Sequence, residues 1–299
     1  MNDGLKPTLA ELLALRALTQ RGVVARRGHH GISGPSQSNQ RGRGMEYAES
    51  REYIPGDEVR HIDWRLTARS GRTHTKLFQV ERERLTLLVA DTAKSLYFGT
   101  RVRFKSVQAA RAGAVAVWMA LRTGDRIAAL RGSQREPPTP PASGMRGARR
   151  VLSALAAWYS GPPADDLGLG IALERATRLA RPGTRIMVLA DSGSLADIPL
   201  SRWRALAAHN SVTLLILVDA LEIDPPQALL PFVSDGRRMT LSLAQSGTRE
   251  QWRHEFVMPV EDALESLPRL GVQVRVLATA DPSNAWRSPF ANKRTVGER

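Results

Sequence analysis

The sequence predicts an α/β fold: a doubly wound, mostly parallel sheet preceded by a basic N-terminal module. Three observations predict it. Short unbroken apolar runs recur along the chain, stretches of helical periodicity separate them, and three of the runs end in aspartate. An apolar run of strand length marks a strand buried on both faces, the situation of a parallel sheet covered by helices on both sides.

The elements follow in order. Leu9, Leu12, Leu13, Leu15 and Leu18 recur at helical spacing. A Gly-, Ser- and Arg-rich loop (28–44) comes next, then a dense mixed-charge stretch (45–84), so that residues 1–80 form the N-terminal module. A second domain, 81–280, opens on the apolar run 85–90, which ends in Asp91. An Ala- and Val-rich helix (105–121) leads to a short strand (126–130). The Pro-rich link 137–141 is expected to enter neither sheet nor helix. Helices at 146–159 and 170–180 follow, the latter stopped by Arg181-Pro182-Gly183. Strand 185–190 ends in Asp191, Pro199 opens a helix to His209, and strand 212–218 ends in Asp219. A charged helix (249–270) precedes a last strand (272–278), and a tail, 281–299, is expected to be disordered from Pro282.

Composition narrows the function. Of 299 residues, 42% are hydrophobic and 24% charged, values of an ordinary globular protein. No apolar run approaches the roughly 20 residues of a membrane-spanning helix. Met1-Asn-Asp-Gly4 lacks the basic start of a signal peptide, and the reading is cytoplasmic. With no cysteine, disulfides and thiolate metal sites are excluded. The net charge of +14 invites a nucleic-acid reading. Yet only five of the 43 basic residues are lysine (Lys6, Lys76, Lys94, Lys105, Lys293), and the arginines are interleaved with acids, as in Glu81-Arg82-Glu83-Arg84. Attraction to acidic surfaces follows from the charge, and binding of nucleic acid stands as the alternative function.

In an open parallel sheet, ligands bind beyond the carboxyl ends of the strands, where Asp91, Asp191 and Asp219 are expected. Asp219 reads as a cap; Asp91 and Asp191 read as site residues. The loop Asp91-Thr92-Ala93-Lys94-Ser95 resembles the metal-ion-dependent adhesion site of von Willebrand A domains, which have a Rossmann-type fold. There oxygens at positions i, i+2 and i+4 hold Mg²⁺ together with a second acidic residue, here Asp191. Two ligands are missing: Ala93 stands for the middle Ser, and the family's Thr falls near Leu167. The expected metal set is therefore the degenerate Asp91, Ser95 and Asp191, with no resident cofactor and Mg²⁺ weakened. Lys94 is expected to place its ammonium between the two aspartates. A Mg²⁺-dependent hydrolase is a second alternative, but a phosphoryl-accepting Asp91 would need a general acid where Ala93 stands. No Ser/His/Asp set, HExxH or phosphate-cradling loop appears, so the reading is non-enzymatic.

The segment Arg41–Tyr47, Arg51-Glu-Tyr-Ile-Pro-Gly-Asp-Glu-Val-Arg60, Ile62-Asp63-Trp64 and Ala68-Arg69 is dense in specific chemistry. Pro55-Gly56 makes a turn, Asp57 is placed to cap a helical turn, and Trp64 is a large anchor. Arg51, Arg60 and Arg69 are matched to Glu46, Asp57 and Asp63 for bidentate pairs, in a structural clamp or facing a partner. This string resembles the hallmark of the bacterial domain-of-unknown-function family 58, whose members join such a segment to a von Willebrand A-like domain. The resemblance continues through Lys76-Leu-Phe78, Glu81-Arg-Glu83, the Asp91 loop, Phe98-Gly99, Lys105 and Gly124-Asp125-Arg126. It implies an adaptor that binds a MoxR-type AAA+ ATPase and a client protein in chaperone-like maturation. Glu46, Arg51, Asp57, Arg60, Asp63, Trp64, Arg69 and Lys94 would then serve partner binding or couple the module to the strand-end rim.

Overall fold

The computed structural model describes residues 4–20, 45–80, 84–234 and 237–287. The chain divides into two units, Val23–Glu83 on one hand and Met1–Gly22 with Arg84–Arg299 on the other.

In the larger unit two short helices, α1 (Leu9–Ala14) and α2 (Arg16–Gln20), start the chain. Thr8 caps α1 by accepting the Glu11 N–H at 3.2 Å. These helices were expected to belong with the signature segment. They pack instead into the α/β core: Leu12 is fully buried, and the Trp118 indole donates to its carbonyl at 3.0 Å. The apolar stripe is what sends them there, where Leu12 and Leu15 join the buried residues of α4 and α5.

That smaller unit holds a hairpin of β1 (Met45–Glu52) and β2 (His74–Val80), with helix α3 (Trp64–Ser70) between them. The strands are mixed-charge and lack a clean alternation, so periodicity in the sequence does not mark them.

The sheet of the larger unit carries the strands β3 (Leu85–Ala90), β4 (Arg126–Arg131), β5 (Arg185–Asp191), β6 (Ser211–Val218) and β9 (Val272–Ala278), all parallel, in the order β4-β3-β5-β6-β9. Helices α4 (Lys105–Arg122), α5 (Gly144–Trp158), α6 (Gly168–Leu179), α7 (Leu200–Ala207) and α8 (Ala220–Ile223) connect the first four strands or follow them. Successive strand residues point to opposite faces. Leu88 and Ala90 join α1, α4 and α5 in one core cluster, while Leu87 and Val89 join α6 and α7 in the other. The doubly wound arrangement expected from the apolar runs is thus present.

Three departures have local causes. The Pro-rich link lies along the outer edge of β4, where Ala142 exchanges two backbone hydrogen bonds with Ile127 and Thr139 donates to Ala129. An edge tolerates prolines because it does not need their missing donors, and they block further pairing. Between α8 and β9 a second hairpin appears, β7 (Leu229–Ser234) with β8 (Arg237–Ser242). The Asp235-Gly236 dipeptide was its unread signal. The single charged helix expected at 249–270 is broken into α9 (Ser246–Trp252), a π-helical turn (Arg253–Val257) and α10 (Met258–Ser266). Pro259 cannot donate to the carbonyl four residues back, which displaces the ladder. The tail is ordered beyond Pro282: Ser283 is buried, accepting from Arg111 at 2.8 Å, and Trp286 packs on the core. Residues 288–299, like the Gly/Arg-rich loop 28–44, lie outside the described residues.

Candidate functional site

Chain order reverses direction between β3 and β5: β3 is followed outward by β4, and the chain then returns to β5 on β3's other side. This switch point opens a crevice at the strands' carboxyl ends. Asp91 and Asp191 flank it as neighbours, and the Asp91 N–H extends the ladder by donating to the Leu189 carbonyl at 2.9 Å.

Each carboxylate is tied inward. The Asp91 side chain accepts from the Ala93 N–H at 3.0 Å and from the Asp191 N–H at 3.1 Å, and it also bonds the Ser194 hydroxyl. Burial nonetheless pushes its pKa up to about 6; the three hydrogen bonds oppose that rise and the charge on Asp191 adds to it.

Asp191 meets a cation. The Lys105 ammonium lies 2.5 Å from Asp191 Oδ1 and 2.5 Å from Glu222 Oε1, and the three side chains are 0–3% exposed. Burial alone would pull the lysine down, but the two carboxylates outweigh it and hold its pKa above the ordinary value. Burial also raises Glu222, with Lys105 opposing the rise and Asp191 adding to it. Lys105 opens α4 just after a tight turn. A Cβ on Gly99 would sit 2.2 Å from the Arg103 carbonyl oxygen, so only glycine lets that turn close and deliver Lys105 to the crevice.

Asp219 caps α8, as expected, in a reciprocal capping box whose other member is Glu222. It also accepts from the Thr100 and Thr279 hydroxyls at 2.6 and 2.7 Å. Burial works against its ionisation, but these bonds hold its pKa below the usual carboxylate range. On the other side of the crevice the Thr92 hydroxyl donates to Asp166 at 2.8 Å. The Asp166 loop is held close because Gly132, whose carbonyl accepts from the Leu167 N–H, has no Cβ to strike the Gly168 carbonyl.

The structure therefore brings Asp91 and Asp191 together, as expected, and corrects their surroundings. Lys94 is exposed, outside the crevice, and the ammonium beside Asp191 is Lys105. Ser95 is exposed; the hydroxyl on Asp91 is that of Ser194, from the loop after β5. Leu167 is 43% exposed, and the nearest carboxylate to that position is Asp166. These residues do not fit a divalent ion: a cation already neutralises Asp191, Ala93 offers no side-chain oxygen, and Asp91 is committed to backbone donors. The sequence held two unread signals: a lysine starting an Ala-rich buried helix, and an Asp-x-x-Glu box at 219–222.

In the smaller unit, Arg51 pairs with Asp57 at 2.7 Å. Asp57 does not cap a helix; it accepts the Ile54 N–H at 3.0 Å across the Pro55-Gly56 turn, which together with Arg51 lowers its pKa. The helix cap is Asp63, which accepts the Leu66 N–H and the Ser50 hydroxyl, both at 3.1 Å. Among the residues with described side chains, Arg60 and Arg69 have no carboxylate partner and are exposed. Trp64 is not buried as an anchor: it is 68% exposed on α3. The Glu46 side chain lies outside the described residues, as do Glu81-Arg82-Glu83.

A family model described as "protein of unknown function DUF58" matches residues 49–271. Uncharacterized proteins of Mycobacterium bovis and Mycobacterium tuberculosis are each 32% identical to this chain over 209 residues, which cover 69% of it and 62% of each relative. The chain thus spans about three-fifths of the length of these curated relatives.

Proposed function

Because the chain belongs to the DUF58 family of proteins of unknown function, whose hallmark segment here turns Trp64 outward, we propose that it is a non-enzymatic, protein-binding adaptor. Its α/β unit is read as a von Willebrand A-like domain with a degenerate adhesion site. Its partners are read as a MoxR-type AAA+ ATPase and a client protein, in chaperone-like maturation within the cytoplasm.

The observation that carries this reading is the exposed tryptophan with its neighbours on and beside α3. Trp64 is 68% exposed, and Arg60, Arg65 and Arg69, on α3 or just before it in the chain, are exposed as well. Nothing in the local structure requires an indole in water, and Trp with Arg is the composition of binding hot spots. A second support is the state of the crevice. Asp91 is spent on backbone donors and Asp191 on Lys105, which leaves neither carboxylate free to serve as a nucleophile or base. No helix among the described residues is long and apolar enough to cross a membrane.

The test is binding of the full chain to a purified MoxR-type ATPase from the same organism, by interferometry. Trp64→Ala is expected to weaken binding by about 30-fold, the cost of a hot-spot truncation. An unchanged affinity would remove α3 as the docking element.

One observation favours the second reading, a binder of polyanions such as nucleic acid. Arg146, Arg149 and Arg150 lie three and four residues apart on α5, and among the described residues none has a carboxylate partner. Retention on DNA that falls steeply with salt, and is lost in Arg146→Ala/Arg149→Ala, would favour it over the adaptor.

A further inference from the structure

A groove of about 580 Å³ runs beside the crevice, starting at Gly193, two residues after Asp191. Its floor is apolar and buried: Leu195, Ile198, Trp203 and Leu267. Its two walls each break a local rule. On one side α7 begins at Leu200, 51% exposed, behind Pro199, with no side chain capping the helix. A Ser, Thr, Asp or Asn at that position would have satisfied one of its free N–H groups. On the other side the π-helical turn before α10 sets Met258, 38% exposed, opposite Leu200's wall. Pro259 accounts for the turn itself; such turns are frequent at functional positions.

The charge of the groove runs against that of the molecule. On a chain of net +14, Glu255, Asp262 and Glu265 are exposed along its helical wall. Only His254 and Arg269 oppose them, and Arg269 is paired with Glu265 at 2.9 Å. The continuous part of that wall, α10 (Met258–Ser266), is nine residues long, about 13 Å at 1.5 Å per residue, the length of two to three turns of a partner helix.

We propose that this groove docks an amphipathic helix of a partner protein, with apolar residues seated between Leu200 and Met258 and basic residues facing Glu255 and Asp262. Helix-in-groove recognition uses this division of labour: apolar anchors at i, i+4 and i+7 for affinity, and rim charges for orientation and choice of partner. A thioether in the wall adapts to anchors of different shape. The groove lies wholly within the α/β unit, so it does not depend on the role given to Trp64.

The probe is a fluorescein-labelled helical Leu/Lys peptide of about 18 residues, titrated with the full-length chain at physiological salt and read by fluorescence polarisation. Saturable binding is expected, and Glu255→Lys/Asp262→Lys should weaken it at least tenfold, as should Met258→Asp. Trp64→Ala should leave it unchanged, which separates this surface from the proposed adaptor face. Circular dichroism confirms that each variant keeps the wild-type fold. Absence of saturable binding, or binding indifferent to both groove variants, overturns the proposal.

Discussion

Replacing Lys105 by methionine tests the core of the site. The side chain keeps most of its length and loses its charge, so Asp191 and Glu222 are left without a cation. In the native protein both lie 2.5 Å from the ammonium, at 3% exposure or less. Breaking a buried pair by removing one partner costs about 3–5 kcal/mol, because the charge left behind has neither water nor counter-ion. With two carboxylates orphaned, the upper end of that range is expected. In a domain of this size each kcal/mol lowers Tm by about 2–4 °C, so the expected fall is about 10–20 °C. The pH dependence carries the sign. Lys105's raised pKa means that its contribution is fully present below the ordinary lysine value, and is lost only as pH rises through the raised one. Between mild acid and neutrality the charge on Lys105 is therefore constant. In the variant the two carboxylates lose their counter-ion and take up protons more readily, so the deficit shrinks as pH falls. Urea unfolding at about pH 8 and about pH 5 measures it. A deficit below about 1 kcal/mol at the higher pH, or an equal one at both, would refute the assignment of Lys105 as the internal counter-ion. Adding Glu222→Gln should restore part of the loss, since one of the two stranded charges is then gone.

Other outcomes follow from the same geometry. Asp91, held up to about 6 chiefly by burial, contributes stability below the ordinary aspartate value that is lost as pH rises through 6. The gap is worth about 3 kcal/mol, and a carboxyl carbon NMR titration of Asp91 with a midpoint in the usual aspartate range would show that desolvation had been overrated. Millimolar Mg²⁺ should move Tm by less than about 1 °C, whereas a clear stabilisation, as mass action predicts for a bound ion, would reveal a cation site beside Lys105. Leu12→Ala should cost about 2–5 kcal/mol of the α/β unit's stability, because Leu12 is fully buried under α4 and α5; a neutral result by chemical unfolding would detach α1 from that core. Trp64→Ala should leave stability within about 0.5 kcal/mol, since an exposed side chain has little packing to lose.

The sequence by itself determined the layers. Runs such as 85–90 and 212–218 carry one threonine each among apolar residues and no charge, too little polarity to face water on either side, so they lie inside a two-sided sheet, and the helices between them must cover it. It also determined that Asp91, Asp191 and Asp219 stand at strand ends, because a carboxylate following such a run marks where burial stops. Tertiary structure decided what those carboxylates meet. Lys105 reaches Asp191 and Glu222 across 86 and 117 residues of chain, and no local pattern encodes a contact between three strand and helix ends. Lys94, three residues after Asp91, is exposed, because ion pairing inside a protein is set by which ammonium the packing buries. The same holds for α1, whose apolar stripe announced a helix but not which core would receive it, and for Trp64, whose exposure depends on what the rest of the chain leaves uncovered. Local sequence fixes periodicity and caps; the choice among distant partners is a free-energy comparison that only the assembled fold makes.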